Sequence, residues 1–360
     1  MKRRRGANTG ILSSVFAIIV GLLFGFLILL ISNPAQALGG LYAILFGATF
    51  NGMRSVGQIL YFATPIILTG LSIGFAFKTG LFNIGTPGQL IVGAYGAVAI
   101  GVLYPSLGPI HWVVALLASV VLGALWALLP GLLKAYANVN EVISAIMMNY
   151  IGMYLVNHLV ASTIFDSSRN QSLPVARSAV IPSMGMKAIF PGSNVNGGFL
   201  IAVLAVIIIH IILNKTTFGY ELKAVGHNRF ASQYAGINEK RGIIFSMLIA
   251  GALAGLGGGL LYLAGTGKHI EVVDILAAEG FQGIPVALLG QSNPIGILFA
   301  GLFIGYITVG GFFMQLYDFV PEIIDIIVAS IIYFSAFALI IRMFMERRRS
   351  GRMGGGQANG

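Results

Sequence analysis

The sequence predicts an all-α, polytopic membrane protein of about ten transmembrane helices, some of them broken, with its N-terminus and C-terminus both cytoplasmic. Three observations predict this. The 360 residues are 57% hydrophobic and only 9% charged, whereas a soluble domain is about one quarter charged. Apolar runs of about bilayer length, roughly 20 residues, recur along the chain. The basic residues that give the chain a net charge of +10 lie beside those runs, which is the pattern that sets membrane topology rather than one that binds a nucleic acid polymer. There is no cysteine, so disulfides, thiolate metal sites and a catalytic thiol are excluded.

The elements follow in order. A basic stretch, 1–10, precedes an apolar run at 11–31. Lys2 to Arg5 before it and "AQA" at 35–37 after it imitate a secretory signal. The run is the length of a span, however, and a signal core is only about 7–15 residues long, so a retained first helix is expected. Further spans are predicted at 56–77, 90–103, 112–133, 142–159, 199–213, 243–264, 295–312 and 323–344. Between the last three, 272–290 is apolar but interrupted by Asp274, Glu279, Gly280, Gly283 and Pro285.

Charge decides whether that broken segment crosses. If it does, every Lys and Arg falls inside except Arg54, Arg169, Arg177, Lys187 and Lys268; if it does not, the split is nearly even and the bias vanishes. Ten spans result, with a transmembrane domain over 11–345, an external loop at 166–198, a cytoplasmic loop at 214–242 and a disordered cytoplasmic tail at 346–360. A short likeness joins "TPIILTGL" at 64–71 to "IPVALLG" at 284–290, the kind of half-repeat that transporters contain.

The same residues exclude several chemistries. None of the eleven carboxylates lies in the middle of an unbroken span, where ion-coupled carriers and pumps place one. The nearest imitation of a phosphate-cradling loop, "GTGKH" at 265–269, has Tyr262 in place of the first Gly and His269 in place of the Ser or Thr. The chain is therefore not expected to hydrolyse ATP, to bind a metal or to be an enzyme.

Two polar, glycine-rich segments interrupt the apolar chain. In "GLFNIGTPGQLIVGAYG", 80–96, Asn83, Thr86 and Gln89 are candidates for lining a solute route, since a broken helix at membrane depth is tolerated where it borders a cavity. The same stretch also reads as a helix start, with Thr86 as N-cap and Pro87 at the first helical position. In the second segment, 280–294, Gln282, Gln291 and Asn293 are the corresponding candidates. Asn140 is expected to cap the next helix, with Glu141 at its positive end. Asn149, two turns further on, either faces the route or binds two helices together. "GALAGLGGGLL", 251–261, reads as a close-packing face.

One passage of the inner loop is polar and basic: "AVGHNRFASQYAGINEKRG", 224–242. Asn228 can cap a short helix from Arg229 to Tyr234, and Gly236 can end it in the left-handed conformation. Phe230 and Tyr234 share a face, ringed by Arg229, Lys240 and Arg241. Two turns are not stable alone in water, so this aromatic knob is expected to dock into a cleft on another protein; a loop drawn to anionic lipid heads is the alternative.

"GLFNIGTPGQ", "NEVISAIMMNYI", "AVGHNRFASQYAGI" and "GFQGIPVALLG", in this order, resemble the permease subunits of ATP-binding-cassette importers of the nucleoside and simple-sugar type, in the ribose-permease and branched-chain amino-acid-permease superfamily. The resemblance implies a ten-helix transport subunit in a bacterial cytoplasmic membrane, embedded in its lipid. It also implies partners: a cytosolic ATPase carrying ATP and magnesium, a second permease that is related or identical, and an extracellular substrate-binding lipoprotein. By resemblance, Gly226, His227, Asn228, Arg229, Phe230, Tyr234, Ala235, Gly236 and Ile237 match the coupling helix that enters the ATPase. The solute expected is neutral and polar, a nucleoside first and a ribose-like sugar as the alternative; an ion-coupled secondary carrier is the rival class.

Overall fold

In the computed structural model the described residues are 19–320, with Phe16 and positions 322–323, 325–327, 329–330 and 333–334. The stretch 1–10, the start of the first run, much of the run 323–344 and the tail 346–360 lie outside the described residues. The helices are α1 (Ile19–Ser32), α2 (Ala37–Phe46), α3 (Met53–Lys78), α4 (Thr86–Leu103), α5 (His111–Ala137), α6 (Glu141–Thr163) and α7 (Met186–Ile189). They continue with α8 (Gly198–Lys215), α9 (Thr217–His227), α10 (Arg229–Tyr234), α11 (Glu239–Tyr262), α12 (Ala278–Leu289) and α13 (Pro294–Phe312). Among the described residues one two-stranded hairpin pairs β1 (Phe165–Asp166) with β2 (Gln171–Ser172).

Seven helices among the described residues are long and apolar enough to cross a membrane. With 26 residues, α3 is about 39 Å long at 1.5 Å per residue, which exceeds the ~30 Å hydrocarbon layer. The outward faces agree with this. Along α5, Val113, Leu117, Val121, Leu125 and Leu129 form an exposed apolar stripe at helical spacing, far more than water tolerates.

The chain forms two packed units, Asn51–Tyr306 and the described residues on either side of it. In the flanking unit, Gly40 of α2 lies against the ring of Phe319, where an added Cβ would stand 2.6 Å from Cε2. Helix α2 was not expected; the sequence hides it behind the signal-like "AQA".

In the larger unit α11 is central, packed along α5, α4 and α3. Its glycines make this possible, as the close-packing reading of 251–261 anticipated. Gly251 and Gly255 meet the backbone of α5 at Gly123 and Ser119, Gly255 also meets Gly93 of α4, and Gly258 meets Leu90. Spaced four and three residues apart, they form one stripe that lets three backbones cross nearly in contact.

The broken segment runs from one end of this unit toward the other. Asn157, in the second half of α6, donates to the carbonyl of Val273 (3.0 Å) and to Asp274 (3.2 Å), while Lys78, at the end of α3, reaches the carbonyl of Gln291 (3.5 Å). Those are opposite ends of the bundle, because α3 and α6 run in opposite senses. The expected span 272–290 is helical only as α12; 265–277 is almost wholly non-helical, since Gly265 and Gly267 take positive φ and Asp274 binds α6 instead of starting a helix. Gly283 of α12 lies against Thr69 and Gly70 of α3, and Gly70 against Val286, so the two segments of the short likeness touch.

The inner loop also needs correction. Asn214 and Lys215 extend α8, and most of 214–242 is helix, since α9 fills the space before α10. Thr216 starts α9 by accepting from the Gly219 amide at 3.0 Å.

Candidate functional site

The start of α4 is a buried polar knot. Asn83 and Gln89 exchange amide hydrogen bonds, both 2.9 Å, and Asn83 also donates to Ser72 Oγ of α3 at 3.1 Å. All three side chains are fully buried. Thr86 is not the N-cap. Gly85 occupies that position, Thr86 is the first helical residue and Pro87 the second, and the Thr86 hydroxyl donates back to the Asn83 carbonyl at 3.1 Å.

The cap comes instead from another helix. Asn149 of α6 accepts from the Gly88 amide at 2.9 Å and donates to the Ile84 carbonyl at 3.0 Å, which satisfies one donor that a helix start leaves orphaned. Of the two alternatives for Asn149, the geometry is that of helix-binding glue. Asn83, Thr86, Gln89 and Asn149 are thus brought together, with their polar atoms engaged by one another and by backbone. Gln89→Met, near in volume, removes both amide bonds and leaves buried Asn83 under-satisfied. It is expected to cost about 1–3 kcal/mol, read as a lower thermal midpoint of the detergent-purified protein.

The second polar segment meets this knot through glycine: an added Cβ on Gly280 would stand 2.7 Å from Pro87 N. Gln282 lies half-buried on α12. Gln291 and Asn293 sit beyond its end, both exposed, and Asn293 caps α13 by accepting from Ile295 and Gly296 at 3.0 and 3.4 Å. They are not part of the buried knot.

The inner element forms as its residues dictate. Asn228 accepts from the Ala231 amide at 3.0 Å, and Gly236 has φ +77°. Phe230 and Tyr234 are exposed, Tyr234 to 96%. Between α9 and α10 runs a cleft of about 480 Å³ bordered by Tyr220, His227, Ala235 and Ile237.

This element is tied to the bundle at three points. The Arg229 guanidinium pairs with buried Glu239 at the start of α11, Nη2 to Oε1 at 2.9 Å. That carboxylate holds the Arg229 pKa above its ordinary value. Arg229 Nη1 also donates to Asn138 (3.2 Å), the left-handed residue that ends α5. Finally, Gly226 of α9 lies against Gly80, 3.2 Å from the position a Gly80 Cβ would take, in the turn between α3 and α4. At this end Asn140 caps α6 as expected (2.9 Å to the Val142 amide), and Glu141 pairs with Lys134 at 2.9 Å. The Arg229–Glu239 link was not anticipated; its only sequence signal was a basic and an acidic residue ten apart.

A bundle of apolar helices broken by glycine and amide segments, with a capped, outward-pointing element held to one end, defines an integral membrane permease. The chain belongs to the family described as branched-chain amino acid transport system / permease component, whose model matches residues 55–341. It is a transport component rather than an enzyme. It is similar to the guanosine ABC transporter permease protein NupP of Bacillus subtilis (strain 168), 40% identical over 338 residues, 94% of this chain and 96% of that one. It is also similar to the nucleoside ABC transporter permease protein NupB of Lactococcus lactis subsp. cremoris (strain MG1363), 36% identical over 349 residues and 94% of each. The glucose ABC transporter permease protein TsgB13 of Haloferax volcanii matches at 32% over 322 residues, 86% of this chain and 82% of that one. No solved structure matches the chain significantly.

Proposed function

We propose that this chain is the membrane subunit of an importer that carries nucleosides across a bacterial cytoplasmic membrane, driven by ATP that a separate subunit hydrolyses. The observation that carries the solute is likeness over nearly the whole chain to a guanosine permease and a nucleoside permease. The carboxylate distribution agrees with it, since a neutral solute needs no charged partner at mid-span. The 32% match to a glucose permease favours a simple sugar as the second reading.

In this reading the chain has ten spans with both termini inside: a cytoplasmic stretch 1–10, a permease domain 11–345 and a cytoplasmic tail 346–360, the first and last lying outside the described residues. The residues from Gly226 to Ile237 dock on the cytosolic ATPase. Force applied at α10 reaches α11 through Glu239, the end of α5 through Asn138, and the α3–α4 turn through Gly80. That turn leads directly into the Asn83–Gln89 knot, so the load arrives where the helices are broken, as alternating access requires. The Asn83, Thr86, Gln89 and Asn149 knot braces one wall of the solute route, with Gln282 on the facing helix and Gln291 and Asn293 at its inner mouth. A second permease, related or identical, and an external solute-binding lipoprotein complete the machine. ATP and magnesium belong to the ATPase.

The experiment is uptake of labelled nucleosides by cells with and without this gene. Loss of uptake on deletion, competed by unlabelled nucleosides and not by glucose or ribose, is the expected result. Competition by the sugars alone overturns the nucleoside reading in favour of the second.

A further inference from the structure

A second cavity, of about 350 Å³, lies at the end of the bundle opposite α10. In the ten-span reading this is the external face. Its floor includes Ile91 of α4, Met153 of α6 and the Tyr262 ring of α11. Its polar wall carries the Lys268–Glu279 ion pair and Glu271. None of the amides in the buried knot borders it.

The wall is built, not a gap between loops. Asn170 and Val272 are doubly tied, the Asn170 side chain donating to the Val272 carbonyl at 2.9 Å and the Val272 amide to the Asn170 carbonyl at 3.0 Å. Two residues further on, past the Gln171–Glu271 bridge, Ser172 and Ile270 exchange two more bonds, at 2.8 and 3.1 Å. Together with Asn157 of α6, these hold 270–274 between the external hairpin and the helices. A preformed concave site with an apolar floor and a few fixed polar groups is what a small-molecule site requires, and its volume is at the small end of the ~300–1,000 Å³ range.

We propose that this cavity is a solute-binding site for one uncharged nucleoside, occupied on the external side before the solute enters the packed helices. This rests on the nucleoside reading above and adds a place and a selectivity to it. A purine or pyrimidine face suits the apolar floor of Met153 and Ile91, beside the buried Tyr262 ring over which Lys268 Nζ lies 5.7 Å from the centroid. The vicinal hydroxyls of a pentose are donors, and carboxylates are acceptors for them. Charge sets the boundary of the class. Lys268 is already paired with Glu279, so with His269 neutral Glu271 leaves the wall formally at −1, and a nucleotide's phosphate would meet like charge there. Glu279 stands in the first turn of α12, one residue before the Gly280 that packs on Pro87. A solute held there touches the helix that leads down to the knot.

The test uses the purified full-length chain and photoactivated 8-azidoadenosine. The label is expected in the peptide spanning 267–279, competed by guanosine and not by guanosine 5′-monophosphate. Glu271→Gln, at an exposed position, and Met153→Trp, which fills the floor, are each expected to lower labelling about tenfold. In vesicles holding the whole transporter, Glu271→Gln is expected to raise the nucleoside KM by about tenfold. Label outside 267–279, competition by the monophosphate, or an unchanged KM in Glu271→Gln overturns this site while nucleoside import stands. A wild-type transporter that moves no nucleoside overturns both.

Discussion

Tyr234→Asp is expected to lower ATP-driven uptake at least about thirtyfold while leaving the protein as stable as the wild type. The ring of Tyr234 is 96% exposed on a six-residue helix, so nothing in the chain depends on it, and surface changes of this kind alter stability by about 0.5 kcal/mol or less. An exposed aromatic pair on a helix too short to stand alone is instead suited to anchoring a partner. Truncating an anchor of that type typically costs 2 kcal/mol or more of binding, roughly thirtyfold, and a carboxylate in an apolar cleft adds a desolvation cost. The measurement pairs uptake in vesicles with a thermal-unfolding midpoint in detergent. Unchanged uptake removes α10 from the ATPase contact. A fall in the midpoint as large as the fall in uptake makes Tyr234 a structural residue.

Gly255→Leu is expected to act the other way, destroying the fold without touching a solute or a partner. A Cβ at Gly255 falls on the Ser119 carbonyl oxygen and 3.0 Å from Gly123 Cα. Both are backbone of α5, and Gly93 of α4 presses from another side, so no side chain can turn away. Overpacking that side chains can relieve costs about 1–3 kcal/mol; here three helices have to separate, and the loss is expected to exceed that range. The readout is the fraction of protein that elutes as a monodisperse species after extraction. Gly242→Ala, also on α11, is the control, because a Cβ there meets only side-chain carbons of Leu222 and Val225 at 3.7 Å. Normal recovery of Gly255→Leu contradicts the three-helix crossing.

Much of this architecture was legible because it rests on local rules. Spans announce themselves by length and hydropathy, and α3, α5, α8 and α11 each contain the run assigned to them or all but its last two residues. The Asn140 and Asn228 caps and the left-handed Gly236 follow from side-chain reach and steric freedom within a few residues. The small-residue stripe of α11 is visible as a spacing. What failed to show was whatever depends on a partner far away in the chain. Thr86 is the best cap residue near its helix start, yet α4 is capped by Asn149, some 60 positions on, so Gly85 fills the N-cap position and the helix starts at Thr86. Asn83 and Gln89 look like free amides in the sequence, and only the fold turns them toward each other. The outer cavity was invisible for the same reason, because its floor comes from three helices and its wall from residues on both sides of the start of the expected span 272–290.

These features divide the work between two molecules. The chain supplies helices that break and pack, and it carries at one end an element tied to those breaks. In the proposed reading the energy comes from a separate ATPase. The direct measurement is accumulation of labelled guanosine in sealed vesicles, once with this chain alone and once with the ATPase, second permease and binding protein added. The account predicts no concentrative uptake by the chain alone under an imposed proton or sodium gradient, and uptake by the full set that stops when ATP is withheld. Accumulation against a gradient by the chain alone would contradict it.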